Sequence, residues 1–306
     1  MRVARVAAQA KVNLFLYVLA PRGDGFHEVL TMYQLVDLAD DIIVRVDGAG
    51  RTLHVAGPRI PDAGLGPTEK NLAYRAAMAY ADRAKWPKGF SIELHKNIPA
   101  GGGLGGGSSD AGAVLRALDA LNDTPLGPSI LAALAATLGS DVPFFVTGSA
   151  RAFARGRGEE VGGMDPLPPR DVVLAIPPFG IATADAYRWL DEDYPTAEAP
   201  LVAREQWPAD GAERPYLVPG GDEWEHIERA SLNDFEPVVE KRHPELRRLR
   251  DLMTQSGARI ARLSGSGSTV YGIFDNLPKL PERAGAGTAL IRTRTSTRVV
   301  QVEVRE

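Results

Sequence analysis

The sequence predicts an α+β protein in which helices alternate with antiparallel strands. Its first third carries short runs of β-branched and apolar residues separated by Gly, Pro and Asp, which is typical of strands joined by turns. Later segments switch between helical and strand-like apolar spacing. Because the strands interleaved with these helices look antiparallel, the pattern favours an α+β class over a doubly wound parallel sheet.

The elements of the first half are predicted from the spacing of apolar residues and from the turn-forming residues between them. Strands are predicted at residues 3–8, 12–19, 30–38, 42–46, 53–56 and 90–95, and helices at 71–83, 108–118 and 129–138. Thr68 is the predicted N-cap of the first helix, and Gly139 ends the third. Residues 141–146 and 150–154 are further strand candidates. The Gly- and Pro-rich stretch 156–170 is interpreted as a linker, so two domains are predicted, at 1–168 and 169–306.

The second half continues in the same way. Strands are predicted at 172–176, 259–263, 270–274 and 299–304, and helices at 183–190, 236–240, 244–256 and 281–292. Residues 191–225 form a polar segment broken by prolines and predicted to be partly disordered.

Composition restricts the classes of function. The 306 residues carry a net charge of −4, which gives no global positive field for nucleic acid or acidic membranes, so neither is an expected partner. There are no cysteines, which excludes disulfides and thiolate chemistry. No apolar run reaches the length of a membrane span, and the N-terminus lacks a signal-peptide core, so a cytoplasmic location is expected.

The most informative stretch is a glycine-rich loop, residues 101–109, which reads GGGLGGGSS. It follows the strand predicted at 90–95 and leads into the helix predicted at 108–118. Free backbone amides and the positive end of a helix dipole would meet there, and together they form a site for phosphate groups.

Three other interpretations of this loop are weaker. A flexible linker is disfavoured because the loop joins a strand to a helix within a continuous pattern. The Walker phosphate motif requires a lysine after the glycines, and none follows. A dinucleotide fingerprint matches formally at Gly101, Gly103 and Gly106, but the region around Asp119, where that motif needs an acid ending a second strand, is still predicted helix.

A second glycine cluster, LSGSGS at residues 263–268, lies between two predicted strands. Taken alone it is best interpreted as a hairpin turn with a bulge. Together, the two loops indicate a cleft that holds a phosphorylated ligand between the two halves of the chain.

Three segments in order, AKVNLFL at 10–16, PAGGGLGGGSS at 99–109 and LSGSG at 263–267, resemble the motifs of the GHMP small-molecule kinases. Residues 22–28, 138–145, 156–159 and 233–237 resemble the branch that acts on 4-diphosphocytidyl-2-C-methyl-D-erythritol (CDP-methylerythritol) in non-mevalonate isoprenoid biosynthesis. The resemblance runs from about residue 3 to residue 275. It implies an N-terminal domain like domain 2 of ribosomal protein S5 and a ferredoxin-like C-terminal domain.

The resemblance also implies a reaction and its residues. Such kinases transfer the γ-phosphoryl group of ATP to a hydroxyl, here the 2-hydroxyl of CDP-methylerythritol, without a phospho-enzyme. Asp141 matches the aspartate that accepts the proton of the hydroxyl, and Lys11 matches the lysine beside it. From the residues alone, Asp141 equally suits a turn cap and Lys11 a charge at a strand edge.

By the same resemblance, a set of residues lines the substrate pocket: Asn13, Phe26, His27, Thr183, Tyr187, Gly265 and Gly267. Phe26 and Tyr187 are expected to sandwich the cytosine, and His27 to read its edge. Phe26 stands where the family commonly has tyrosine. On general grounds a loop histidine is more often solvated, and an aromatic residue on an amphipathic helix is more often core, so these interpretations stay open for His27 and Tyr187.

The nucleotide is expected on the other side of the cleft, with ATP as co-substrate and Mg²⁺ bound to it. The implied ATP-binding residues are Asn71, Lys96, Pro99, Gly101, Gly102, Gly103, Leu104, Gly105, Gly106, Gly107, Ser108 and Ser109. Among these, Asn71 and Lys96 approach the adenine end, and the Ser108 hydroxyl is the candidate Mg²⁺ ligand. Asp110 stands where the family pattern also allows asparagine, and its ionisation near the phosphates is expected to weaken ATP binding modestly.

Two alternative functions remain open from the sequence. A related kinase acting on homoserine or mevalonate would lack the Phe26–His27 cytosine reader. A non-catalytic ATP sensor is disfavoured because Asp141 and Lys11 are both present. The expected assembly is a monomer or homodimer.

Overall fold

Two β-sheets organise the part of the chain that is described in a computed structural model, which comprises residues 2–46, 48, 50–61, 64–194, 223–281, 283–285 and 287–305. The larger sheet contains β1 (Arg2–Pro21), β2 (His27–Val46), β3 (Arg51–Ala56), β4 (Phe90–His95), β5 (Arg151–Arg155), β6 (Glu160–Met164) and β11 (Glu303–Arg305). The smaller sheet contains β7 (Asp171–Ile176), β8 (Ile260–Leu263), β9 (Val270–Phe274) and β10 (Ala289–Arg294).

Within the described ranges, the larger sheet runs β11-β1-β2-β4-β3, with β5 and β6 added to β2, and the smaller runs β10-β7-β9-β8. All pairs are antiparallel except β3 with β4. Helices α1 (Leu72–Ala84), α2 (Gly106–Leu121), α3 (Pro128–Leu138), α4 (Thr183–Asp193), α5 (Glu223–Ala230), α6 (Glu236–Arg242) and α7 (Pro244–Gln255) complete the framework. The predicted α+β class is confirmed. Among the described residues, no helix has the length and apolarity needed to cross a bilayer.

The long strand β1 carries the polar residues that interrupt its apolar alternation. The sequence predicted two strands on each side of the first hairpin, whereas β1 and β2 each continue unbroken for 20 residues. Register shifts between Gln9 and Lys11, and again between Asn13 and Phe15, absorb the interruptions. As a result Lys11 lies opposite Leu35, Asn13 lies opposite Tyr33, and both polar side chains are buried.

Helix α2 is held against α1 and β1 by small residues. Ala111, Ala113 and Ala117 are buried on α2, and Ala73, Ala76 and Ala77 are buried on α1. Such residues allow two helix backbones to approach closely. This packing fixes the start of α2, Gly106, at the end of the glycine loop.

Several predicted elements are wrong. Residues 142–146 form a 3₁₀ turn, because Pro143 prevents strand pairing and four of the five side chains are buried. Residues 160–164 form β6 instead of linker. The C-terminal helix predicted at 281–292 is absent from the described residues there, where 289–294 pair with β7 as β10. Thr68 begins a short 3₁₀ turn, and the N-cap of α1 is Asn71, whose side chain accepts from the Ala73 amide.

The first and last described strands are neighbours in the larger sheet, because β11 pairs with β1. The final strand covers residues 303–305 instead of the predicted 299–304. The division at residues 168 and 169 remains a prediction. Of the segment 191–225, residues 191–193 end α4 and 223–225 begin α5, and the prediction for residues 195–222 lies outside the described residues.

Candidate active site

A cleft of about 1170 Å³ collects most of the predicted site residues. Its walls include Lys11, Asn13, Phe26, His27, Asn71, Lys96, Pro99, Gly101, Gly102, Gly103, Leu104, Gly105, Gly106, Gly107, Ser108, Asp141, Thr183, Tyr187 and Gly265. Two predicted residues do not line it. The Ser109 hydroxyl is buried and donates to the Gln9 carbonyl oxygen, and a Cβ atom on Gly267 would contact Leu263 and Ile181.

The two glycine loops contact each other across this cleft. The Ser264 hydroxyl donates to the Gly103 carbonyl oxygen at 2.9 Å, and the Thr269 amide donates to the Gly102 carbonyl oxygen at 3.1 Å. A Cβ atom on Gly103 would lie 1.9 Å from the Ser264 carbonyl oxygen, and the φ of Gly103 is +77°. Glycine is therefore required at residue 103 by both space and backbone conformation.

The first loop presents backbone amides to the cleft. It ends at Gly105, whose φ is +69°, and α2 begins at Gly106. First-turn amides of a helix have no partner within the helix, and the dipole makes this end positive. The cradle therefore fits a polyphosphate. Ser108 lies on the same wall, and its hydroxyl is a suitable oxygen ligand for a hard cation carried by phosphates.

A carboxylate and an ammonium lie next to each other in the wall of the cleft. The Lys11 Nζ atom lies 3.4 Å from Asp141 Oδ2 and donates to Asn13 Oδ1 at 2.7 Å. The Lys11 side chain is only 4% exposed, whereas that of Asp141 is 32% exposed. The ion pair therefore has one buried cation and one carboxylate that a ligand can reach.

The structure adds Tyr33 to this group, a residue that sequence reasoning missed. Its hydroxyl donates to Asp141 Oδ1 at 3.0 Å. Burial, together with the negative charge of Asp141, raises the pKa of Tyr33 well above its ordinary value, so the hydroxyl keeps its proton. The available signal was the position of Tyr33 in an apolar strand facing the Lys11–Asn13 interruption.

Lys96 lies at the start of α2 between two buried carboxylates, a feature the sequence did not predict. Its ammonium bonds to Asp40 and, at 2.7 Å, to Asp110 Oδ2. Asp40 Oδ1 also accepts from the amides of Asn97 and Ile98. Burial, opposed by Lys96 and reinforced by Asp40, raises the pKa of Asp110 to about 8. The Asp110 side chain therefore carries less negative charge at neutral pH than the sequence implied.

This pKa gives a sign to the pH dependence of stability. Between about pH 4 and pH 8 the folded protein keeps a proton on Asp110, whereas the unfolded chain releases it. The contribution of Asp110 to the free energy of unfolding therefore decreases as the pH rises through this range. We expect the melting temperature of Asp110→Asn to fall less over this range than that of the unmodified protein. Asp234, with a pKa raised to about 7 by burial, contributes equally to both proteins. Parallel melting-temperature curves would contradict the assignment.

Another part of the cleft wall is aromatic, and its rings contact other side chains. The His27 ring stacks on Tyr187 with centroids 4.8 Å apart, and the Arg157 guanidinium lies 4.8 Å from the centroid of Phe26. Asp191 Oδ1 lies 2.8 Å from His27 Nε2. His27 is therefore held between an aromatic face and a carboxylate, and Asp191 is a cleft residue that sequence reasoning had left in the unassigned segment.

Comparison with known proteins identifies the family. Residues 71–149 match the GHMP kinases N terminal domain, and residues 222–286 match the GHMP kinases C terminal. The chain is 38% identical over 278 residues to the 4-diphosphocytidyl-2-C-methyl-D-erythritol kinase of Pelotomaculum thermopropionicum. The aligned residues cover 90% of each chain. The chain belongs to the 4-diphosphocytidyl-2-C-methyl-D-erythritol kinase family.

Solved structures agree with this membership. The crystal structure of a 4-(cytidine 5'-diphospho)-2C-methyl-D-erythritol kinase matches with a TM-score of 0.71 at 35% identity, covering 95% of this chain and 99% of that one. A homoserine kinase from Cytophaga hutchinsonii matches with a TM-score of 0.70 over 99% of this chain and 97% of that one, but its 18% identity shows the fold alone. The predicted family and two-domain GHMP kinase fold are confirmed, and the chain is an ATP-dependent small-molecule kinase.

Proposed function

We propose that this kinase transfers the γ-phosphoryl group of ATP to the 2-hydroxyl of CDP-methylerythritol, giving the 2-phosphate and ADP in non-mevalonate isoprenoid biosynthesis. The observation that carries this proposal is the Lys11–Asp141 pair, 3.4 Å apart, in a cleft walled by both glycine loops. Family membership supplies the substrate, because the relative from P. thermopropionicum is named for it.

Each residue of the pair has a distinct task. Asp141 accepts the proton of the 2-hydroxyl as its oxygen forms a bond to the γ-phosphorus and the bond between that phosphorus and the ADP oxygen breaks. Lys11, held by Asn13, stabilises the negative charge that develops on the attacking oxygen. The amides at the start of α2 hold the phosphates, and Mg²⁺, to which Ser108 would contribute an oxygen, shields their charge.

The aromatic end of the cleft would bind the cytidine. Phe26, which is 49% exposed, offers a ring that Arg157 contacts, and Tyr187 offers a second ring stacked on His27. Thr183 and Gly265 also line the cleft. We place the cytosine at this end, with the His27 ring reading its edge.

Asp191 is expected to affect substrate affinity without affecting the chemical step. Removing its carboxylate in Asp191→Ala frees the His27 ring, so KM for CDP-methylerythritol should rise about fivefold while KM for ATP stays constant. Asp191→Asn keeps an acceptor oxygen and should show a smaller rise. Steady-state kinetics with each substrate varied in turn measures both effects, and an unchanged KM in Asp191→Ala would contradict this role.

An assay coupled to ADP release tests the function. We expect turnover with CDP-methylerythritol and none with homoserine or mevalonate at equal concentration. Turnover with either of the latter alone would favour another GHMP kinase, and ATP binding without any turnover would favour a sensor. We expect activity as a monomer or homodimer, and we place the reaction in the cytoplasm.

A further inference from the structure

We propose that Tyr33 is a positioning residue for this reaction, which fixes the Asp141 carboxylate so that Oδ2 faces the acceptor alcohol. This inference rests on the proposed function, since it assigns a partner to the proposed base. Neither the glycine loops nor the other motifs of the sequence include Tyr33.

The position of Tyr33 is fixed from two sides. It lies on β2 opposite Asn13, the residue that holds Lys11, so the strand pairing sets the distance between the tyrosine and the ammonium. Its ring is 2% exposed and stacks on Phe144, with centroids 4.9 Å apart. Phe144 belongs to the 3₁₀ turn that follows Asp141, so the tyrosine ring and the turn carrying the carboxylate pack together.

The two oxygens of Asp141 therefore have different partners. Tyr33 donates to Oδ1 at 3.0 Å, and Lys11 Nζ lies 3.4 Å from Oδ2. A rotation of the carboxylate about its terminal bond would lose the Tyr33 hydrogen bond, so this bond restricts the group to one orientation. Because Oδ1 is already bonded, the alcohol proton is transferred to Oδ2.

Gly158 leaves space for the Tyr33 hydroxyl. A Cβ atom on Gly158 would lie 2.7 Å from the Tyr33 hydroxyl oxygen, and the φ of Gly158 is +111°. Glycine at residue 158, in the GRGE segment at 156–159, therefore gives the hydroxyl room to reach Asp141.

The charged and titratable groups near the Tyr33–Asp141 pair come from three further elements. They are Lys11 on β1, Glu159 in the turn after β5, and Tyr187 on α4. Burial raises the pKa of Tyr187, and Asp141 raises it further, so this phenol also stays neutral. Tyr33 is the group that donates a hydrogen bond from a neutral hydroxyl to Oδ1.

The test compares Tyr33→Phe with Tyr80→Phe. Tyr80 is equally buried and also donates to an aspartate, Asp119, but it lies on α1 away from the cleft. In Tyr33→Phe we expect kcat to fall about tenfold with both KM values within about twofold, and the acidic limb of kcat/KM to move to higher pH by about one unit, because the carboxylate loses a donor. Tyr80→Phe should leave both quantities unchanged.

Gly158→Ala provides a second variant, expected to lower kcat because a methyl group displaces the Tyr33 hydroxyl. A Tyr33→Phe enzyme with unchanged kcat, or with lower kcat but an unmoved pH profile, would overturn the positioning role. Asp141→Asn separates this failure from that of the proposed base. If Asp141→Asn is inactive while Tyr33→Phe behaves as the unmodified enzyme, the positioning role of Tyr33 is wrong and the base assignment stands. If Asp141→Asn remains active, the assignment of Asp141 as the base is wrong.

Discussion

Replacement of Asp141 by asparagine is expected to lower kcat by about three orders of magnitude. The amide cannot accept the proton of the acceptor alcohol, and general-base catalysis typically contributes a factor of this size. The substitution keeps the shape of the side chain and an oxygen for the Tyr33 hydroxyl, so affinity for a nonhydrolysable ATP analogue should stay within about threefold. Single-turnover kinetics and titration calorimetry measure the two quantities.

Asp123→Asn is the matched control for this prediction. Asp123 pairs with Arg2 on the surface, and its side chain is 87% exposed. This variant should turn over at the unmodified rate. A kcat of Asp141→Asn within about tenfold of the unmodified value would contradict the base assignment. Loss of analogue binding would instead show that Asp141 is needed to form the cleft.

Gly103→Ala is expected to abolish detectable ATP binding. The new methyl carbon would lie 1.9 Å from the Ser264 carbonyl oxygen, a backbone atom, so one of the two glycine loops must move. Such a movement breaks the bonds of Ser264 and Thr269 to the first loop and displaces the phosphate cradle. We expect the dissociation constant of a nonhydrolysable ATP analogue to rise more than about a hundredfold.

Gly127→Ala separates steric overlap from backbone strain. Gly127 also has a positive φ, +81° against +77° at Gly103, but a Cβ atom there would meet nothing within 4 Å. The φ of +81° and ψ of 168° at Gly127 suit glycine, so this control should lose about 1–3 kcal/mol of stability and bind the nucleotide normally. Equal ATP affinities in the two variants would show that contact between the loops is unimportant for the nucleotide.

The sequence predicted well where local pattern and structure agree. The strand Phe90–His95 and the glycine loop leading into α2 were predicted because alternation, loop composition and helix formers all indicate the same arrangement. By contrast, the apolar run at 142–146 reads as a strand. These side chains are buried because they pack against α2 and α3. With Pro143 in the segment, the backbone forms a 3₁₀ turn instead of a strand.

The site residues also separate into those that lie in local motifs and those that depend on distant partners. Lys11, Asp141 and both glycine loops lie in recognisable motifs, so their meeting in one cleft was expected. Tyr33, Asp40 and Asp191 were missed because each acts through a partner distant in sequence: Asp141, Lys96 and His27 respectively. Only the strand pairing and the position of α4 bring these pairs together, and neither follows from local pattern.

We infer that the glycine-loop amides hold the triphosphate so that its γ-phosphate faces Asp141. A crystal structure with a nonhydrolysable ATP analogue and CDP-methylerythritol tests it most directly. We expect the phosphates against residues 103–108, the 2-hydroxyl within hydrogen-bond distance of Asp141 Oδ2, and the cytosine next to His27. Phosphates bound away from both glycine loops, or a 2-hydroxyl out of reach of Asp141, would contradict it.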